Sequence, residues 1–220
     1  DELWAFCYAK QKNVPDEHKG EFGYGDIWTW TAICADTKIV PSWLVGERTI
    51  RDCLTFVADL RDRMRGPIQL TTDAHQTYVG AVGIVFGADG IDWAQQIKEY
   101  RTEYLGERRY SPPVCAGVRT RVRLGDPDPE KISTSYVERQ NLTLRMGMRR
   151  FTRLTNAFSK KVENLAHAVS LHYMHYNFAR VHQSLTITDE DGKTIKRTPA
   201  MAAGVTDHVW TLREIAGLLD

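Results

Sequence analysis

The chain has little cysteine, no long apolar run and almost no net charge, and each shortage removes a class of protein. Cys7, Cys34, Cys53 and Cys115 show no paired spacing, so neither a disulfide framework nor a zinc ribbon is supported, and buried free thiols of a reducing cytoplasm are expected. The longest apolar stretch, Tyr78 to Ala88, is interrupted by glycines and too short to span a bilayer. No secretory signal opens the chain, so a membrane partner is not expected. The net charge of +1, taken as a total, argues against a nucleic-acid binder. Its distribution argues the other way. Cations gather from Arg108 to Arg123 and from Arg139 to Lys161, whereas acids cluster at Asp126 to Glu130 and Asp189 to Asp191.

Acid is scarcest beyond Glu138. From there to Lys161 the chain carries Arg139, Arg145, Arg149, Arg150, Arg153, Lys160 and Lys161 and no second carboxylate. On a helix, Glu138, Asn141, Leu142, Arg145 and Arg149 share one face, because spacings of three and four bring side chains together. A carboxylate in such a surface reads as a metal ligand beside a polyanion: phosphate needs the cations, and a divalent ion needs the acid.

An apolar fraction of 42% and a charged fraction of 26% describe a globular chain. At 220 residues it is long enough for one well-buried domain with a small helical appendage. Residues 1–10 read as a strand, and Lys12 to Gly25 as an exposed loop. Ile27 to Cys34 and Ile39 to Val45 read as a hairpin around Ala35 to Lys38. Thr49 to Met64, with Ile50, Cys53, Leu54, Val57 and Leu60 at helical spacing, reads as a helix stopped by Gly66-Pro67. Ile68 to Thr72 forms a short apolar strand that delivers Asp73 at its end, followed by a helix over Thr77 to Phe86 and a strand over Ile91 to Lys98. The irregular stretch 101–132 contains Val118 to Leu124, whose alternation puts Arg119, Arg121 and Arg123 on one face, as a phosphate-gripping ribbon or a charge-protected edge strand. Lys161 to Arg180 reads as a helix, Pro199 as the start of a short one, and Thr211 to Leu219 as an amphipathic packing element. This order of elements predicts an α/β fold of the ribonuclease H-like kind, a mixed five-stranded sheet flanked by helices over residues 1–155, with a C-terminal helical extension over 156–220.

One acid does not hold a catalytic metal alone. Asp73 and Asp1 are the candidate partners of Glu138, two at strand ends and one on a helix. The plainer readings are that Asp73 caps the helix after it and that Glu138 pairs with Arg145. Glu2, Asp26 and Asp36 are the alternatives to Asp1. His172, His175 and His182 share a face and invite a zinc site, but no acid or cysteine accompanies them, so core or phosphate-contacting roles are favoured.

Several strings resemble one family. The Asp1-Glu2-Leu3-Trp4 opening, Thr71-Thr72-Asp73, and Val137-Glu138-Arg139-Gln140-Asn141-Leu142-Thr143-Leu144-Arg145 are similar to the DDE transposases of bacterial insertion sequences, most closely the insertion sequence one type. Gly46-Glu47-Arg48-Thr49, the run from Arg149 to Lys160, and Tyr176 to Leu185 with Thr198-Pro199-Ala200 also resemble its pattern. The resemblance implies that Asp1, Asp73 and Glu138 bind two Mg²⁺ or Mn²⁺ ions. It further implies that one site cuts transposon ends and joins them to target DNA, in a homo-oligomer assembled on DNA in the bacterial cytoplasm at the nucleoid. The expected DNA-contacting residues are Arg139, Asn141, Arg145, Arg149, Arg150, Arg153, Lys160 and Lys161, together with Arg119, Arg121 and Arg123. The family also leads one to expect a preceding zinc-finger or helix-turn-helix DNA reader. Alternatives are a ribonuclease H-like nuclease or resolvase without strand transfer, and a DNA-binding derivative without catalysis.

Overall fold

Thr49 sets the first long helix: its hydroxyl accepts from the Asp52 amide, and α1 (Ile50–Arg63) then runs to the residue before Met64, short of the Gly66-Pro67 stop. The computed structural model describes residues 1–87, 90–101, 114–152 and 156–219. The chain separates into two compact units, one comprising Asp1 with Thr49–Ser135 and the other Glu2–Arg48 with Tyr136–Asp220. Among the described residues no helix is long and apolar enough to cross a membrane.

In the first unit, α1 packs on α2 (Gln76–Phe86). Cys53, Phe56, Val57 and Leu60 from one helix and Tyr78, Ala81 and Val82 from the other are buried. Strands β4 (Ile68–Thr72), β5 (Ile91–Arg101) and β6 (Val114–Leu124) form one sheet in that order. The β4–β5 pair is parallel, as a helical crossover requires, and β6 is an antiparallel edge. Side-chain amides fasten the segment after β6 to this sheet. Gln69 donates to the Asp128 carbonyl at 3.0 Å and accepts from its amide at 2.9 Å, while Gln96 accepts from the Thr134 amide and hydroxyl at 3.2 and 2.8 Å.

The exit from β6 turns at Gly125, with φ +65°, where a Cβ would lie 2.9 Å from the Ile91 carbonyl oxygen and 3.1 Å from the Asp92 Cα. Backbone atoms cannot swing aside, and the left-handed conformation itself disfavours a side chain. We expect Gly125→Ala to lower stability by about 2–3 kcal/mol. A urea midpoint equal to that of the parent chain would refute this account of the turn.

In the second unit, β1 (Glu2–Cys7), β2 (Gly25–Thr31) and β3 (Trp43–Gly46) form an antiparallel sheet. Its inner residues Leu3, Ala5, Cys7 and Ile27 share a core with Leu144 of α3 (Ser135–Gly147) and with Leu165, Val169 and Tyr173 of α4 (Val162–Met174). The segment beyond residue 156 is therefore part of the same core as the opening strand. Thr31 and Tyr173 share a hydroxyl hydrogen bond of 3.0 Å, and Trp43 Nε1 donates to Ser170 at 3.2 Å. Past α4 the helix widens into a π turn over His175–Ala179. There buried Asn177 accepts from the Val40 amide and donates to the Val40 carbonyl, both at 2.9 Å. The chain then forms the hairpin β7 (His182–Thr188) and β8 (Thr194–Arg197), the short α5 (Pro199–Ala202) capped by Thr198, and α6 (Leu212–Ala216).

The single five-stranded sheet expected from the order of elements is not what forms. Among the described residues the strands group as β1-β2-β3, β4-β5-β6 and β7-β8, within an α/β architecture. The physical reason lies in pairing. The eleven-residue β5 takes β6 as its second partner, while β1 to β3 bury their inner face against α3 and α4. Of the irregular stretch 101–132, residues 102–113 lie outside the described residues.

Candidate functional site

Asp73 follows β4 directly, and its position is fixed from two sides. Its Oδ1 accepts from the His75 amide at 3.0 Å, closing an Asx turn that leads into α2. Its carbonyl accepts from Gln95 Nε2 at 2.9 Å and from the Thr72 hydroxyl at 3.0 Å. The N-cap of α2 is His75 rather than Asp73, so the carboxylate shapes the approach to the helix without being its cap. Asp1 belongs to the same unit. Its nitrogen donates to the hydroxyl of buried Tyr78 at 3.1 Å. A carboxylate oxygen of Asp1 and one of Asp73 lie within 4.8 Å of each other, though the residues are far apart in the chain.

Two half-exposed carboxylates at that separation form a hard-oxygen donor pair of the type Mg²⁺ and Mn²⁺ favour. The alternatives to Asp1 belong to the second unit. Glu2 is buried in the second unit and its Oε2 accepts from Arg48 at 3.2 Å, with the Arg48 guanidinium stacked 4.7 Å from the Trp28 ring. Asp26 stands opposite Phe6, at the end of β1 away from Glu2, about 13 Å along the strand. Asp36 lies in the turn between β2 and β3.

Glu138 sits exposed in the first turn of α3, in the second unit. Of the expected DNA contacts on that helix, Arg139 is exposed and Arg145 half-buried, but Asn141 is only 6% exposed and lies on the buried side with Gln140 and Leu144. The sequence pattern placed Asn141 and Glu138 on one face. The structure shows that the core claims part of that face. Arg149 is exposed, and Arg150 donates to the Ser159 hydroxyl at 2.7 Å. Lys160 and Lys161 are exposed, with Lys160 Nζ 5.5 Å from the Phe158 ring. Arg153 lies outside the described residues.

On β6 the predicted alternation is present. Arg119 stands opposite Ile97 and Arg121 opposite Gln95, so both share a face of the sheet with Gln95. Arg119 pairs with Glu99, Arg121 is exposed, and Arg123 donates from Nε to Gln95 Oε1 at 2.8 Å. Gln95 and Tyr78 are the residues the sequence reading missed. A signal existed for Gln95, since it continues the inward phase set by Trp93 two positions earlier.

The histidines do not assemble a metal site among the described residues. His172 is mostly buried, its Nε2 takes no hydrogen bond among the described residues, and its ring meets Gly147, where a Cβ would lie 3.2 Å from Cε1. Burial, with Arg180 and His175 adding to it, holds its imidazole down to about 4 from an ordinary 6.5. A depressed histidine favours the neutral form in the fold, so the unfolded chain binds more protons between those values. Stability is full above about pH 6.5 and falls as the pH drops toward 4. We expect a loss of about 1–2 kcal/mol across that window, solvent screening included. Chemical denaturation at the two pH values measures it, and an equal loss in His172→Phe would assign the effect elsewhere.

The first unit thus presents a carboxylate pair and a sheet whose edge strand carries arginines. No protein-family model matches the chain, nor does any curated protein or solved structure.

Proposed function

We infer that the chain is the catalytic domain of a DDE transposase, acting on DNA with two Mg²⁺ or Mn²⁺ ions. The observation that carries this reading is the approach of Asp1 and Asp73 to within 4.8 Å by carboxylate oxygens, from the two chain positions that the family resemblance assigns to metal. The donor set fits the cation class, since all the candidate ligands are carboxylates. When bound, paired divalent ions activate the attacking water or 3′-hydroxyl and stabilise the departing oxygen. Glu138 is proposed as the third ligand.

The remaining work falls to residues of the chain itself. Tyr78 and the Asx turn hold the two aspartates. Of the expected DNA contacts, Arg139, Arg149, Lys160 and Lys161 are exposed in the second unit and Arg119 and Arg121 on β6; each neutralises backbone phosphate without reading sequence. Transposon ends and target DNA are the partners this reading requires, with a homo-oligomer assembled on them.

The test is cleavage and joining of labelled DNA duplexes with Mg²⁺ or Mn²⁺, in the parent protein and in Glu138→Gln. Products longer than the substrate, absent in Glu138→Gln, are the expected result. Cleavage without joining would make the chain a nuclease or resolvase, and DNA binding with neither would make it a non-catalytic derivative. Cleavage that survives intact in Glu138→Gln would remove Glu138 from the site.

A further inference from the structure

A buried glutamine links the arginine strand to the candidate metal aspartate. Gln95 is 1% exposed, at the centre of the β4-β5-β6 sheet. Its Oε1 accepts from Arg123 Nε at 2.8 Å and its Nε2 donates to the Asp73 carbonyl at 2.9 Å. The two ends of one amide therefore join β6 to the residue after β4. Trp93, two positions earlier on the same face of β5, donates from Nε1 to the Thr72 hydroxyl at 3.1 Å, and that hydroxyl in turn donates to the Asp73 carbonyl at 3.0 Å. Two donors, Gln95 of β5 and Thr72 of β4, thus converge on a single peptide oxygen. A primary amide carries an acceptor at one end and donors at the other, so only one of its two flip states serves both neighbours. Arg123, an obligate donor, selects the state that points Nε2 at Asp73.

We propose that Gln95 is a positioning residue for the metal site and that Arg123 acts through it, so that the arginine strand sets how firmly Asp73 is held for a divalent cation. This rests on the reading of Asp1 and Asp73 as metal ligands. Residues that orient ligands from behind ordinarily change metal affinity about 10–100-fold when lost. Here the orienting contact is to the ligand's own backbone, which fixes the Cα from which the carboxylate projects. The linkage is reciprocal: a phosphate that orders Arg123 firms the metal site, and an occupied metal site firms Arg123 for phosphate.

The inference differs in sign from plain electrostatics, and this makes it testable without any assay of cleavage. Arg123→Leu removes a positive charge near a cation site, and Gln95→Glu adds a negative one. Charge alone predicts tighter Mn²⁺ binding in both. Positioning predicts weaker binding in both, because leucine no longer selects the amide state and an ionised glutamate has no proton to donate to the Asp73 carbonyl.

Mn²⁺ titration of the folded 220-residue chain by calorimetry is the measurement, with Arg123→Lys as the conservative rescue. The expected result is a dissociation constant raised about 10-fold in Gln95→Glu and several-fold in Arg123→Leu, at the lower end of the range for orienting residues, with Arg123→Lys near the parent value. Arg123 is half-buried at the sheet edge, so its variants keep the test sound even where Gln95→Glu unfolds. Unchanged or tighter binding in Arg123→Leu overturns the proposal while the metal reading stands. A parent chain whose Mn²⁺ binding is absent, or is unaltered by Asp73→Asn, overturns the metal reading and the proposal with it.

Discussion

If the proposed transposase reading holds, Asp73→Asn is expected to lower metal-dependent DNA cleavage by about 10³-fold or more in a protein that still folds. Stabilising the developing charge with a divalent ion supplies several kcal/mol, and each 1.4 kcal/mol is about tenfold in rate. The substitution is conservative for structure. Asn keeps an oxygen that accepts from the His75 amide, so the Asx turn and the start of α2 persist. It also leaves the carbonyl bonds from Gln95 and Thr72 untouched, because they are made to the backbone. What is lost is the negative charge that draws a hard cation. Cleavage at the parent rate, in a variant with an unchanged melting curve, would end the transposase reading. Loss of the fold together with activity would instead give Asp73 a structural role larger than one turn.

The largest stability effect is expected at Asn177, which no catalytic reading needs. Its side chain satisfies both polar groups of the Val40 peptide, and Val40 is only 1% exposed. Leucine there fills similar volume but leaves a buried amide and a buried carbonyl without partners, at about 1–3 kcal/mol each. Asn177→Leu should therefore lose about 2–5 kcal/mol, a large part of a stability that is typically about 5–15 kcal/mol. Asn177→Asp should be no better, since the carboxylate keeps one acceptor, loses the donor and sets a negative charge against the Val40 carbonyl. Urea unfolding followed by tryptophan fluorescence decides it, and a change below about 1 kcal/mol for Asn177→Leu would mean that the two peptide groups find other partners. The Tyr176-Asn177 string, read from the sequence as part of a family ending, thereby acquires a local reason to exist.

The elements that could be read from the sequence are those whose signals are local. Thr49 followed by apolar residues at helical spacing and ended by Gly66-Pro67 fixed α1 to within a residue. Pro199 after Thr198 marked α5, and the alternation of Arg119, Arg121 and Arg123 marked β6. The β7–β8 hairpin escaped attention although Asp191-Gly192 is a strong turn signal between alternating segments. Sheet membership was not legible at all, because whether β5 pairs with β6 depends on long-range competition for edges that no local pattern encodes.

At the candidate site, Asp73 could be found by its place at the end of an apolar strand. Asn141 was misplaced because helical spacing gives a face but not which side of that face the core takes. The inward phase of Gln95 was readable from Trp93 but its role was not, because a polar residue in an alternating strand reads as solvent-facing until its two partners are known.

The distribution of thiols gives this protein a natural reporter. Cys7 and Cys53 are buried, burial pushes the Cys7 thiol up to about 11, and Cys34 is partly covered, whereas Cys115 is exposed on β6 itself, four residues before Arg119. Nucleophilic attack requires the thiolate and access to it. A maleimide dye added at limiting ratio will therefore mark the arginine strand in preference to the interior, and its emission can follow nucleic acid arriving at that edge without any engineered cysteine.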